Sequence, residues 1–231
     1  MNSKHAGESG LTLVELFVGL ALTMIVIAGV HHLFVSQTRA YSVSSQVLDM
    51  QGTTRFALNH VVRDLQMAGY DPQASNLFGI TAYQNSNFTP SDDPALSLGT
   101  NTQLYFTVDR DGDAAIDNDG SERIGFRVNA GWLETAVISN LDGSIASWQP
   151  VMDNIESMIV SYTYADGNTS TAVGLPDNSV TGRNFGDVRS VTVSLRARAN
   201  LPDPTYVDLT FGDSYRRITL AGKVVPRNLG F

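Results

Sequence analysis

Five aspartates and a glutamate crowd into DRDGDAAIDNDGSE, Asp109 to Glu122. Asp109, Asp111 and Asp113 alternate, and Asp117, Asp119 and Glu122 follow. Such a run can aim several oxygens at one Ca²⁺, which takes six to eight of them. Counted from Asp109 as a calcium loop, Ala114 replaces the sixth-position Gly and Gly120 replaces the bidentate acid at twelve. Counted from Asp111, Glu122 falls at twelve, but Ala115 and Ile116 break the fifth and sixth positions. Two readings stand side by side. A bound Ca²⁺ relieves the mutual repulsion of the carboxylates, or water does so on a solvated surface turn.

A second carboxylate stands where hydrocarbon is expected. From Leu11 to Val30 the single charged side chain is Glu15. An acid within a membrane helix costs about 2.5 kcal/mol or more. Thr12 and Thr23 are less costly, because a hydroxyl can bond back to a helix carbonyl. Cleavage between Gly10 and Leu11 would make Glu15 the fifth residue of a chain that begins with an apolar helix. Its carboxylate would then lie one turn from a new terminal amine, at the positive end of the helix dipole.

These groups need elements to hold them. Residues 11–35 are apolar over a length that spans a bilayer core, and Lys4 favours a cytoplasmic N-terminus. Residues 36–70 read as the amphipathic continuation of the same helix. Val47, Met50, Thr54, Leu58, Val61, Leu65 and Ala68 recur at spacings of three and four, and Gly69 and Pro72 supply the stop. Gly19, Gly29 and Gly52 mark either bends or close helix contacts. Residues 71–231 read as a β-rich head. Alternation predicts strands at 102–108, 123–128, 132–138, 155–164, 188–197, 205–211 and 216–225, with turns at Asn129-Ala130-Gly131 and Asp142-Gly143. Residues 71–101 look irregular, and the polar stretch Ala165 to Asp187 reads as a long surface loop. The fold class is α+β: a long N-terminal helix whose second half packs on an antiparallel sheet. Tyr105, Phe126, Trp132, Tyr162 and Tyr164 read as core or strand-face aromatics. Arg55, Arg63 and Asp64 read as surface pairing near the end of the helix.

Composition narrows the function classes. The net charge is −8 over 231 residues, which disfavours nucleic acid as a partner, since phosphate binding needs a basic surface. With no cysteine in the chain, disulfides, thiolate zinc sites and cysteine nucleophiles are excluded. His5, His31, His32 and His60 form no triad with a nucleophile and an acid, and no phosphate loop or HExxH run is present. The chain reads as a protein without catalytic residues.

GLTLVEL, Gly10 to Leu16, resembles the processing site of type IV prepilins and type II secretion pseudopilins, with Leu11 where Phe is commoner. The resemblance implies that residues 1–10 are a leader removed by prepilin peptidase, that the amine of Leu11 is methylated, and that Glu15 pairs with the amine of an adjacent subunit. RFALNHVVRDLQMAGYDP, Arg55 to Pro72, is similar to the end of the long helix in PilW-like minor pilins. VMDNIESMIVSYTYADGN, VRSVTVSLRARA and RRITLAGKVVPRNL extend the likeness. This implies a minor pilin held in the bacterial inner membrane with its head in the periplasm, passing from membrane lipid into a pilus tip or priming complex. Its partners would be other minor pilins, the major pilin and the inner-membrane assembly platform. Two alternatives share the features: a GspJ-like pseudopilin of a type II secretion system, and a pilus-mounted calcium-dependent adhesin.

Overall fold

The computed structural model describes residues 12–75, 78–81, 103–117, 121–138, 145–170, 188–226 and 228. The chain divides into two compact units, Met1–Ser45 and Gln46–Phe231. Within the first, the described residues are helical from Leu13 onward, and the apolar side chains from Leu13 to Val35 are exposed. The helix is long and apolar enough to cross a membrane by length and composition.

The helix, α1 (Leu13–Leu65), continues into the second unit. There it buries Met50, Thr54, Ala57, Leu58, Val61 and Leu65. This is the face expected from spacing, with Ala57 added and Val47 only half-buried. Thr54 is fully buried at no polar cost, since its hydroxyl donates to the Met50 carbonyl at 2.6 Å. The helix stops at Leu65, five residues short of the expected 70, and turns follow. Gly69 takes a positive φ of 73°, the left-handed exit that glycine supplies. Its N–H donates to the Thr107 carbonyl, which ties the helix exit to the sheet.

Among the described residues the head has two antiparallel sheets, where the alternation pattern suggested one. The first orders β1 (Ile80–Thr81), β2 (Gln103–Thr107), β3 (Arg123–Asn129), β4 (Trp132–Ile138) and β5 (Ile145–Met152) consecutively. The second has the order β7-β6-β8-β9, with β6 (Ile155–Tyr164), β7 (Thr169–Ser170), β8 (Val188–Arg198) and β9 (Arg217–Val224). One apolar cluster joins the helix face to both sheets through residues such as Leu65, Phe106, Phe126, Met158, Val193 and Leu195. Gly222 on β9 permits the close seat of the helix: a Cβ there would stand 3.0 Å from Val62 Cγ2.

Two expectations about strands are corrected. Residues 205–211 are not a strand. Asp203, Asp208 and Asp213 each accept backbone N–H groups two residues on, so the segment Asp203–Asp213 turns on itself. Conversely, β5 is a strand that alternation missed. Pro150 within it argues against a central strand, and β5 is an edge strand, where proline is tolerated. The Asp142-Gly143 turn, most of 71–101 and most of the 165–187 loop lie outside the described residues.

Gly19, Gly29 and Gly52 sit in continuous helix with open space where a Cβ would stand, so no close contact among the described residues calls for glycine there. Arg63 pairs with its neighbour Asp64 at 3.6 Å, and at 76% exposure this surface pair contributes little.

Candidate functional site: the helix head, the acidic loop and the corner cleft

Thr12 and Glu15 cap the N-terminus of α1 reciprocally. The Thr12 N–H and hydroxyl both donate to Glu15 Oε2, at 2.9 and 2.8 Å, and the Glu15 N–H donates to Thr12 Oγ1 at 3.3 Å. This is a capping box, which satisfies two otherwise orphaned donors at a helix start. Glu15 therefore has a local partner before any subunit arrives. Among the described residues no donor reaches its Oε1. The signal was present in the sequence as Thr-x-x-Glu ahead of an apolar run. Gly10 and Leu11, the expected processing positions, lie outside the described residues.

The acidic stretch forms the connection between β2 and β3, closed at its base by the Val108 N–H to the Glu122 carbonyl. Asp109, Asp111 and Glu122 come together, with one carboxylate oxygen of each within 4.8 Å of the others. Asp113 and Asp117 are not part of that group, and Asp119 lies outside the described residues. Asp111 and Asp113 are exposed, as on a solvated surface turn, whereas Asp109 is 0% and Glu122 1% exposed. Both are buried because the loop's own amides bind them. Asp109 accepts from Gly112 and Ala114, and Glu122 accepts from Arg110 and Asp117. Ala114, where a calcium loop has glycine, does adopt the left-handed conformation at φ 63°. The loop's amides thus account for both buried acids.

A third arrangement escaped sequence reasoning. Arg217, 7% exposed, is surrounded by three carboxylates. It donates to Asp213 in two parallel bonds of 2.7 Å, to Glu156 at 2.8 and 3.0 Å, and to Asp208 at 3.1 Å. Phe211 covers its guanidinium at 3.9 Å. Hydrogen bonds from Arg217 are the first cause holding Asp213 down to about 2 and Glu156 below the usual carboxylate range. The network folds the segment 203–213 over the second sheet.

Beside this network, the two sheets meet at a corner. The Ile155 N–H donates to the Gly131 carbonyl, and the Arg198 N–H donates to the Asn154 carbonyl. A cleft of about 400 Å³ opens there, bounded by the Ala130-Gly131 turn, Trp132, Asp153, Asn154, Glu156 and Arg198. Trp132, expected among core or strand-face aromatics, is 43% exposed on its wall. Tyr105, Phe126, Tyr162 and Tyr164 are buried as expected.

Of three comparisons with known proteins, one places the chain in a family. No curated protein matches it. A type IV-like pilin from Thermus thermophilus is similar in structure at 14% identity, with a TM-score of 0.48, over 79% of this chain and 97% of that one. The family model "Prepilin peptidase-dependent protein B" matches residues 44–211, the head and the helix segment beneath it, and so does not draw on the GLTLVEL stretch. The chain thus belongs to the prepilin peptidase-dependent protein B family.

Proposed function

We propose that this protein is a minor pilin, cut by prepilin peptidase after Gly10 and incorporated into the priming or tip complex of a type IV pilus. The observation that carries the reading is the conjunction of two independent features. The head matches a prepilin peptidase-dependent family, and the far end of the chain is an exposed apolar helix headed by the Thr12–Glu15 box. Both are consistent with a membrane-anchored pilin-like protein.

The function is assembly rather than catalysis. Before assembly the apolar side chains of residues 13–35 face lipid; afterwards the helices of neighbouring subunits cover them, so apolar surface stays out of water throughout. Glu15 supplies register. When an adjacent subunit brings its terminal amine, that cation replaces the Thr12 donors or joins them at Oε1. A buried acid keeps its charge in an apolar bundle only with such a partner.

A deletion strain tests the role. Loss of surface filaments, restored by the full chain and not by unrelated pilins, is the expected result. Normal filament numbers combined with a defect in protein secretion would reject the pilus role in favour of a pseudopilin one.

A further inference from the structure

We propose that the corner cleft beside Trp132 binds a neutral sugar, a function independent of processing and assembly. The cleft's volume, about 400 Å³, falls in the range of small-ligand sites. Its groups divide into those already used and those left over. Glu156 is used, because Arg196 and Arg217 occupy both of its oxygens. Among the described residues nothing engages the Trp132 indole, the Asp153 carboxylate or the Asn154 side-chain amide. Arg198 is held by its face, 4.5 Å over the Tyr215 ring. Stacking leaves the in-plane N–H groups of a guanidinium open to acceptors.

The leftover set has a definite chemistry. It offers one apolar aromatic surface, one carboxylate acceptor, one amide that both donates and accepts, and one guanidinium donor. A ligand that satisfies all of these has an apolar face and a rim of hydroxyls that donate and accept. A pyranose ring has that form. The lining holds Arg198 and the two acids Asp153 and Glu156, and Glu156 is already paired with Arg196 and Arg217, so the charges left over are one of each sign, which favours a ligand without net charge. The walls are also fixed in place. Ala130 and Asn154 both hold positive φ, 49° and 58°; the Ile155–Gly131 bond ties the first turn to the second sheet, and the Arg198–Asn154 bond extends the β6–β8 pairing to the second turn. Alanine is kept in that region only where its surroundings hold it there, whereas asparagine adopts it readily.

The test uses the full chain in lauryldimethylamine oxide micelles, since maltoside detergents carry the ligand class in question. The chain has two tryptophans, so Trp148→Phe leaves Trp132 as the sole fluorescent reporter. Glucose, galactose, mannose, N-acetylglucosamine and N-acetylgalactosamine are titrated, with glucuronate and glucosamine as charged controls. The expected result is a saturable change in Trp132 emission with at least one neutral sugar. Asp153→Asn in that background, and Trp132→Ala read by calorimetry, should each weaken binding by about tenfold or more with thermal melting unchanged. No response to any neutral sugar would overturn the proposal, as would tighter binding of a charged control. Protection of Trp132 from quencher that appears only in assembled filaments, without sugar binding, would assign the cleft to a protein contact instead.

Discussion

The Tyr105 ring packs against Gly125 across the β2–β3 pair, where the two residues are register partners. A Cβ on Gly125 would stand 2.8 Å from Cδ1 and 2.9 Å from Cε1 of that ring. The ring cannot simply swing away, because its hydroxyl donates to Gln103 at 2.7 Å and the residue is buried. Gly125→Ala is therefore expected to cost about 1–3 kcal/mol in denaturant unfolding, the range for overpacking. Adding Tyr105→Leu should make the second substitution non-additive, recovering part of the loss. Simple additivity would show that the contact is not what makes glycine necessary.

Arg217 makes stability depend on acid. The Asp213 carboxyl, held at about 2 by hydrogen bonds from Arg217, binds its proton later in the folded chain than in the unfolded one. Its contribution is complete above the ordinary carboxylate range and is lost as pH falls from about 4 towards about 2. Glu156 is lowered in the same way by Arg217, and Asp208 is lowered first by the Thr210 N–H and then by Arg217. Arg217→Gln is expected to lower the melting temperature at neutral pH by about 5–10 °C. The gap from the native chain should narrow as pH drops through that window, measured by circular dichroism. A gap constant with pH would contradict the ionic account.

The β3–β4 turn carries a correctable strain. Ala130 and Gly131 both have positive φ, the pattern of a two-residue type I′ hairpin, yet alanine is disfavoured at the first position. Ala130→Asn or Ala130→Gly should stabilise the head by about 0.5–1 kcal/mol in chemical denaturation. A loss of stability would mean that the alanine methyl makes a contact the turn needs.

The double role assigned to Glu15 can be separated by substitution. Thr12→Val removes the hydroxyl cap and leaves the acid, so the first helical turn weakens by about 1 kcal/mol while filament incorporation persists. Glu15→Gln retains an acceptor for the cap but has no charge, and incorporation should fall sharply with membrane insertion intact. Quantitative immunoblotting of sheared filaments and of membranes distinguishes the two. Equal incorporation of Glu15→Gln and the native chain would remove the charge from the account.

Much of the architecture was legible because period decides it. The buried face from Met50 to Ala68 and the strands 123–128, 132–138 and 155–164 follow from apolar spacing alone. What failed was local hydrogen bonding that overrides period. TYVDLTF alternates like a strand, yet Asp208 caps its own backbone and Phe211 is drawn onto Arg196 and Arg217. In β5, Pro150 hid an edge strand, because pattern cannot tell an edge from a centre. Of the acidic loop, sequence proposed six ligands in a row; the fold gathers Asp109, Asp111 and Glu122 and uses the buried pair as internal caps. Trp132 read as core or strand face, and which of the two it takes depends on how two sheets meet, which no local spacing records. Glu15 was legible as an anomaly, and its Thr12 partner was visible three residues before it.

The most direct measurement of the central claim is the intact mass of the protein extracted from membranes of cells with and without prepilin peptidase. With the peptidase, the account predicts a chain that lacks residues 1–10, begins at Leu11 and carries one added methyl group. Without it, the full-length mass should remain. A chain of full length in both strains, or one cut elsewhere than after Gly10, would contradict the assignment.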